Sequence, residues 1–86
     1  MSRYYFSITD GQRMLGDREG TELGGLAEVQ REALEFGRTI FRHRFAYGIE
    51  DLSPWSIRVT NDIGRVLAVL PLARFRPARR DVLPAD

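Results

Sequence analysis

Asp17, Glu19 and Glu22 stand within six residues, among glycines at 16, 20, 24 and 25. Carboxylates at that density can gather around a cation, so the stretch GDREGTELGGL is the first candidate for chemistry. Calcium, however, needs several oxygens converging at the dense spacing of an EF-hand loop, and these three do not reproduce it. The glycines do not form a phosphate loop either, because that motif ends in Lys-Ser/Thr at a helix start and the chain has no Lys. Turn glycines followed by acids just ahead of a helix fit the stretch better, since carboxylates favour the positive end of the helix dipole. The expectation is a turn.

His43 is the single histidine and lies between Arg42 and Arg44. A general base acts on a nucleophile and is oriented by an acid, and Ser7, Ser53 and Ser56 sit in no nucleophile-elbow context. No pair of carboxylates is set among apolar residues that would raise one of them into acid catalysis. The absence of cysteine excludes disulfides, zinc thiolates and thiol nucleophiles. The chain reads as non-catalytic, with no metal or cofactor.

Arginine is the remaining chemistry. All 13 basic residues are Arg, and they are unevenly spread. Residues 1–51 hold seven Arg and nine acids, a balance of −2, while residues 52–86 hold six Arg and three acids, a balance of +3. Arg74, Arg76, Arg79 and Arg80 fall within seven residues with no acid among them. Such a segment can track a phosphate backbone, or it can be a solvated tail. Arg3, Tyr5 and Arg58 fall on one strand face, a pattern that stacks bases in some sheets and is plain exposed surface in others.

The elements that must position these residues follow from periodicity. In RYYFSIT, Tyr4, Phe6 and Ile8 take one strand face, and Arg3, Tyr5, Ser7 and Thr9 the other. Asp10-Gly11 predicts a two-residue hairpin turn, with Thr9 facing Gln12 and Phe6 facing Leu15. A short second strand runs through Arg13-Met14-Leu15 and is expected to end at the glycines. The period then changes: Leu26, Val29, Ala33, Phe36 and Ile40 recur at helical spacing, with Leu34, Phe41 and Phe45 widening the stripe, and a helix is predicted over 25–46. Arg31 and Glu35 lie four apart on its polar face. Gly25 offers no capping oxygen, and Gly48 is the stop. Trp55, Ile57 and Val59 alternate in a third strand, Asn61–Gly64 is a type I turn with a glycine bulge, and residues 65–72 form a fourth strand. The fold expected is α+β: a four-stranded antiparallel sheet in ββαββ order with one helix across one face. Residues 1–73 form the domain and 74–86 an Arg/Pro-rich tail.

Two features exceed what this fold can cover. In RVLAVLPL, Leu67 and Val69 oppose Val66, Ala68 and Leu70, so both faces of the last strand are apolar. The helix stripe is likewise wider than a single sheet face requires. A symmetric second copy would cover both, through Leu67, Val69, Phe41 and Phe45. The alternative is local cover by the tail, with Phe75 folding back. No run approaches the ~20 apolar residues of a membrane helix, so a cytoplasmic setting is expected.

Several of these motifs occur together in a known pattern. Arg3-Tyr4-Tyr5-Phe6, Asp10-Gly11, Asp17-Arg18-Glu19-Gly20-Thr21-Glu22-Leu23, Arg31-Glu32-Ala33-Leu34 and Asn61-Asp62-Ile63-Gly64-Arg65-Val66-Leu67 appear in that order. In this the chain resembles a family of short uncharacterised proteins of rhizobium-like proteobacteria, a domain of unknown function. The resemblance spans roughly residues 3–72 and departs at Gly24-Gly25, where the family carries a capping Asp. It implies the fold and brings no activity, cofactor or partner. The expectation is a non-catalytic interaction or regulatory module acting as a homodimer, the alternative a weak nucleic-acid binder using the arginine tail.

Overall fold

The computed structural model describes residues 1–16 and 18–76. Asp17, Arg79 and Arg80 therefore lie outside the described residues. One helix, α1 (Leu26–Arg42), packs on an antiparallel sheet of five strands: β1 (Ser2–Thr9), β2 (Met14–Gly16), β3 (Thr21–Leu23), β4 (Ser56–Thr60) and β5 (Val66–Pro71). The sheet order is β2-β1-β4-β5, with β3 also paired to β1. The α+β class is as expected, but the strand count is five rather than four.

The extra strand comes from the opening stretch. Gly16 pairs with Ser7 and Thr21 with Tyr4, so the edge pairing is broken opposite Tyr5 and Phe6. The edge strand is interrupted there by a wide bulge and then resumes, where the sequence reading ended it at the glycines. Gly20 turns the chain back with φ +77°, in the left-handed region that disfavours a side chain. Two pieces of one edge result.

The first hairpin also differs from expectation. Its loop is four residues long, with Thr9 facing Met14 and Ile8 facing Leu15. The cause is the Asp10 side chain, whose Oδ1 accepts the backbone N–H groups of Gln12 at 2.9 Å and Arg13 at 2.7 Å. That side-chain closure replaces the tight backbone turn. The Arg13 N–H, and after it that of Gln12, holds the Asp10 carboxyl below its ordinary value. Because the register moves by two residues, Leu15 keeps the face assigned to it, although its partner is Ile8 and not Phe6.

The helix stops earlier than expected, at Arg42, and the chain continues in a 3-10 turn over Arg44–Tyr47 that ends at Gly48 with φ +76°. Val29, Ala33 and Ile40 are buried beneath it. Two contiguous groups form the core. One joins Ile8, Ile40, Ile49, Leu52, Trp55, Ile57 and Leu72; the other joins Phe6, Leu23, Val29, Ala33 and Val59. Phe36 bridges them, its ring centroid 6.0 Å from that of Phe6. On the polar face Glu35 pairs with Arg38 at 3.3 Å, three residues away, rather than with Arg31.

Gly25 is the N-cap, with extended backbone (φ 179°) and no side-chain cap. Glu28 partly compensates, its Oε1 accepting the Gly24 N–H at 2.7 Å. A Cβ on Gly25 would meet nothing within 4 Å. Gly25→Asp therefore gains a cap oxygen without strain, and a stabilisation of a few tenths of a kcal/mol is expected. Denaturant midpoints at unchanged m-value measure it.

The last strand runs Val66–Pro71, and Leu72 opens a 3-10 turn through Phe75. The Asn61 turn forms as expected: its Oδ1 accepts from Ile63 and Arg65, and Gly64 takes φ +84°. Register slips between Val59 and Thr60, so that Thr60 faces Val66. That irregularity corrects the simple alternation: Val66 leaves the face of Ala68 and Leu70, and Val66 and Leu67 are both exposed. Phe75 folds back on the helix, where its ring occupies the space a Cβ on Gly37 would need. Local cover of the helix stripe is thus provided by the chain itself, through Phe75.

Candidate functional site

Of the carboxylate residues in the opening stretch, Glu19 and Glu22 lie among the described residues, and both meet Arg3. Glu22 pairs with Arg3 at 3.1 Å, and the Glu19 carbonyl accepts from the same guanidinium at 2.6 Å. They clamp the start of β1 across the bulge. Among the described residues no group of three or more His, Asp or Glu side chains is placed to hold a metal. His43 is exposed at the end of α1, where its backbone N–H closes the helix on the Thr39 carbonyl at 3.1 Å.

The four residues assigned to self-association separate into two places. Phe41 is half-buried against the core, while Phe45 is 67% exposed. The Arg44 guanidinium lies over both rings, 4.2 and 4.6 Å from their centroids. Val69 faces Arg58, on the side of the sheet away from α1, and is 55% exposed. Leu67 and Val69 therefore belong to a different surface from Phe41 and Phe45, and no single flat interface takes all four.

β5 is where backbone and side chains both remain unpartnered. It is the outer strand of the sheet, and among the described residues no strand pairs with its other side. The Leu72 N–H donates to the Trp55 carbonyl at 3.0 Å. Backbone direction alternates along an antiparallel strand, so Leu70 and Ala68 also turn toward β4, and Val69 and Pro71 turn outward. At Pro71 there is no N–H to satisfy; at Val69 both polar groups face the open edge. On the helix side of the same edge, a groove of about 350 Å³ runs between α1 and β5. Val29, Ala33, Leu34, Ala68, Leu70 and Arg74 line it. Arg74 thus lies beside the groove, and Arg76 is exposed past the 3-10 turn. The sequence names Leu67 and Val69 by alternation, Leu34 by helical spacing and Arg74 in the arginine cluster, but only tertiary packing brings Leu34 and Arg74 to this one edge.

A second concavity, about 470 Å³, opens on the sheet face away from the helix. Tyr5, Ser7, Met14, Arg18, Arg58 and Thr60 surround it. Tyr5 and Arg58 were expected on this face. Arg18 was not assigned to it, because no periodicity places a bulge residue.

Among the described residues no helix is long and apolar enough to cross a membrane. Comparison with curated proteins finds no match, and comparison with solved structures finds none. A family model, described as Domain of unknown function (DUF6894), matches residues 3–73. The match takes in all five strands, α1, the clamp on Arg3 and the glycine turns at 20, 48 and 64, and by it the chain belongs to the DUF6894 family.

Proposed function

We propose that the protein is a small cytoplasmic, non-catalytic interaction module that works as a homodimer, with β5 as the seam. The observation carrying this reading is the open edge at Val69, apolar on both faces and flanked by a groove. An antiparallel pair centred on Val69 sets that residue against Val69 of a second copy, each donating to the other's carbonyl. Ala68 then faces Leu70 across the seam, and the two grooves meet beneath two neighbouring helices. No residue from Val66 to Pro71 is charged, so no like charges oppose each other along the strand.

Area supports the same partner. A six-residue strand is about 20 Å long and the helix about 25 Å, and a stable interface needs roughly 800 Å² per partner. The strand edge alone falls short of that, whereas edge, groove and helix flank together approach it.

Sedimentation equilibrium at micromolar concentration is expected to give twice the 9.9 kDa chain mass. Val69→Glu opposes two carboxylates at the centre of the seam and is expected to weaken association about 100-fold or more while the fold persists. Phe45→Glu, at the far end of the helix, is expected to leave the dimer intact. A parent that stays monomeric across the concentration range rejects the proposal.

A further inference from the structure

We infer that the outer face of the sheet binds a nucleotide unit, either free or within a single strand of nucleic acid. This site lies within one chain and does not depend on the dimer.

The floor of the concavity is made by pairing. Ser7 faces Arg58 on one side and Gly16 on the other, and Tyr5 faces Thr60. Gly16 has no side chain to fill the space; a Cβ there would lie 2.5 Å from that of Ser7. The hollow is therefore shallow backbone at its base, with long side chains at its rim. At about 470 Å³ it lies within the range of small-ligand sites.

Among the described residues its rim is basic. Arg3 occupies the same face, but Glu22 and the Glu19 carbonyl take up its guanidinium. Arg58 is half-buried and Arg18 exposed, and neither has a hydrogen-bond or ion-pair partner among the described residues. Each guanidinium carries five N–H donors in a planar fork suited to phosphate oxygens. The hydroxyls of Ser7 and Thr60 add donors between them. A carboxylate presents two oxygens in one plane, whereas a phosphodiester sets two tetrahedrally and a terminal phosphate three, so phosphate suits two guanidinium forks approaching from different segments.

Tyr5 and Met14 supply the other half of the ligand. An aromatic side chain beside cationic groups on an open sheet is the arrangement that stacks a base while its phosphate is held, and it is tolerant of base identity. The sheet face is therefore assigned a nucleotide's two chemistries, ring and phosphate, side by side.

Fluorescence anisotropy with a short labelled oligothymidylate tests this, alongside saturation-transfer NMR with adenosine monophosphate. For two arginine–phosphate contacts on a single strand, log affinity should fall with log salt at a slope of about −1.4. Arg58→Gln is expected to halve that slope and weaken binding about tenfold at low salt. Arg18→Gln, in the exposed bulge, should do the same without touching the fold. Tyr5→Leu should weaken binding and leave the slope unchanged, which a purely electrostatic surface would not show. Binding of both probes supports a free-nucleotide site, and binding of the strand alone supports a nucleic-acid site. No binding of either probe overturns the inference. Strand binding that survives both arginine changes and disappears with Arg74→Gln and Arg76→Gln overturns it as well, and places the contact on the arginine tail.

Discussion

Gly37→Ala is expected to destabilise the protein by about 1–2 kcal/mol, although it puts the best helix former in place of nearly the worst. In an exposed helix the change would gain ~1 kcal/mol. Here a Cβ would lie 2.1 Å from the Phe75 ring, with two further ring atoms at 2.4 and 2.6 Å. Overpacking of this kind forces the neighbour out and costs roughly 1–3 kcal/mol. Phe75 belongs to the turn Leu72–Phe75, and Leu72 is fully buried, so the ring cannot withdraw freely. The decisive comparison is the double variant. With Phe75→Ala already in place the clash is gone, and Gly37→Ala should then stabilise by up to ~1 kcal/mol. A change of sign between the two backgrounds, read from denaturant midpoints, is a coupling that independent sites cannot produce. Equal effects in both backgrounds would mean that Phe75 does not rest on Gly37.

Gly20→Val is expected to lose about 3 kcal/mol, which lowers Tm by roughly 12–24 °C for a chain of this size. Part of the loss is conformational: Gly20 sits at φ +77°, where a β-branched residue is a genuine outlier. The rest is steric. A Cβ would come 2.7 Å from Arg3 Cγ, 2.8 Å from Tyr5 Cε2 and 3.0 Å from the Tyr4 carbonyl oxygen. The arginine can swing aside, but the backbone oxygen cannot. Moving Arg3 would also break its hold on Glu22 and the Glu19 carbonyl. Gly20→Asn separates the two causes, since Asn tolerates this backbone region and keeps only the clash. A loss below ~1 kcal/mol for Val would show that the bulge can be rebuilt at little cost.

Much of the architecture was legible before any coordinates, and the reason is periodicity. Phe6, Ile8, Ile57 and Val59 are buried as strand alternation requires, and Val29, Ala33 and Ile40 as helical spacing requires. What escaped was set by single side chains or by distant strands. Asp10 lengthened the hairpin loop through its own carboxylate, a choice that the dipeptide Asp-Gly does not reveal. Thr21–Leu23 is three residues long with Glu22 at its centre, and only its partner on β1 makes it a strand. The slip between Val59 and Thr60 moved Val66 to the exposed set with no local signal. The surfaces were legible in part for the same reason. Alternation placed Tyr5 and Arg58 on one face and left open which face of the last strand turns outward, whereas the outward position of Val69, Arg18 at the concavity and the groove beside β5 arise from packing.

The broken edge at β2 and β3 has a further consequence, for how many copies can join. A sheet with two clean edges is an open-ended polymer unit, since every added chain presents a fresh edge to the next. Here one side is cut between Gly16 and Thr21, and Arg3 ties Glu22 and the Glu19 carbonyl beside the break. Among the described residues the far side offers both backbone groups of Val69 to a partner. A chain with a single pairable side can join one like neighbour head to head about a two-fold axis, and that pair has no such side left. In the proposed pair, the break between Gly16 and Thr21 would act as a terminator, leaving further copies no second clean edge to extend.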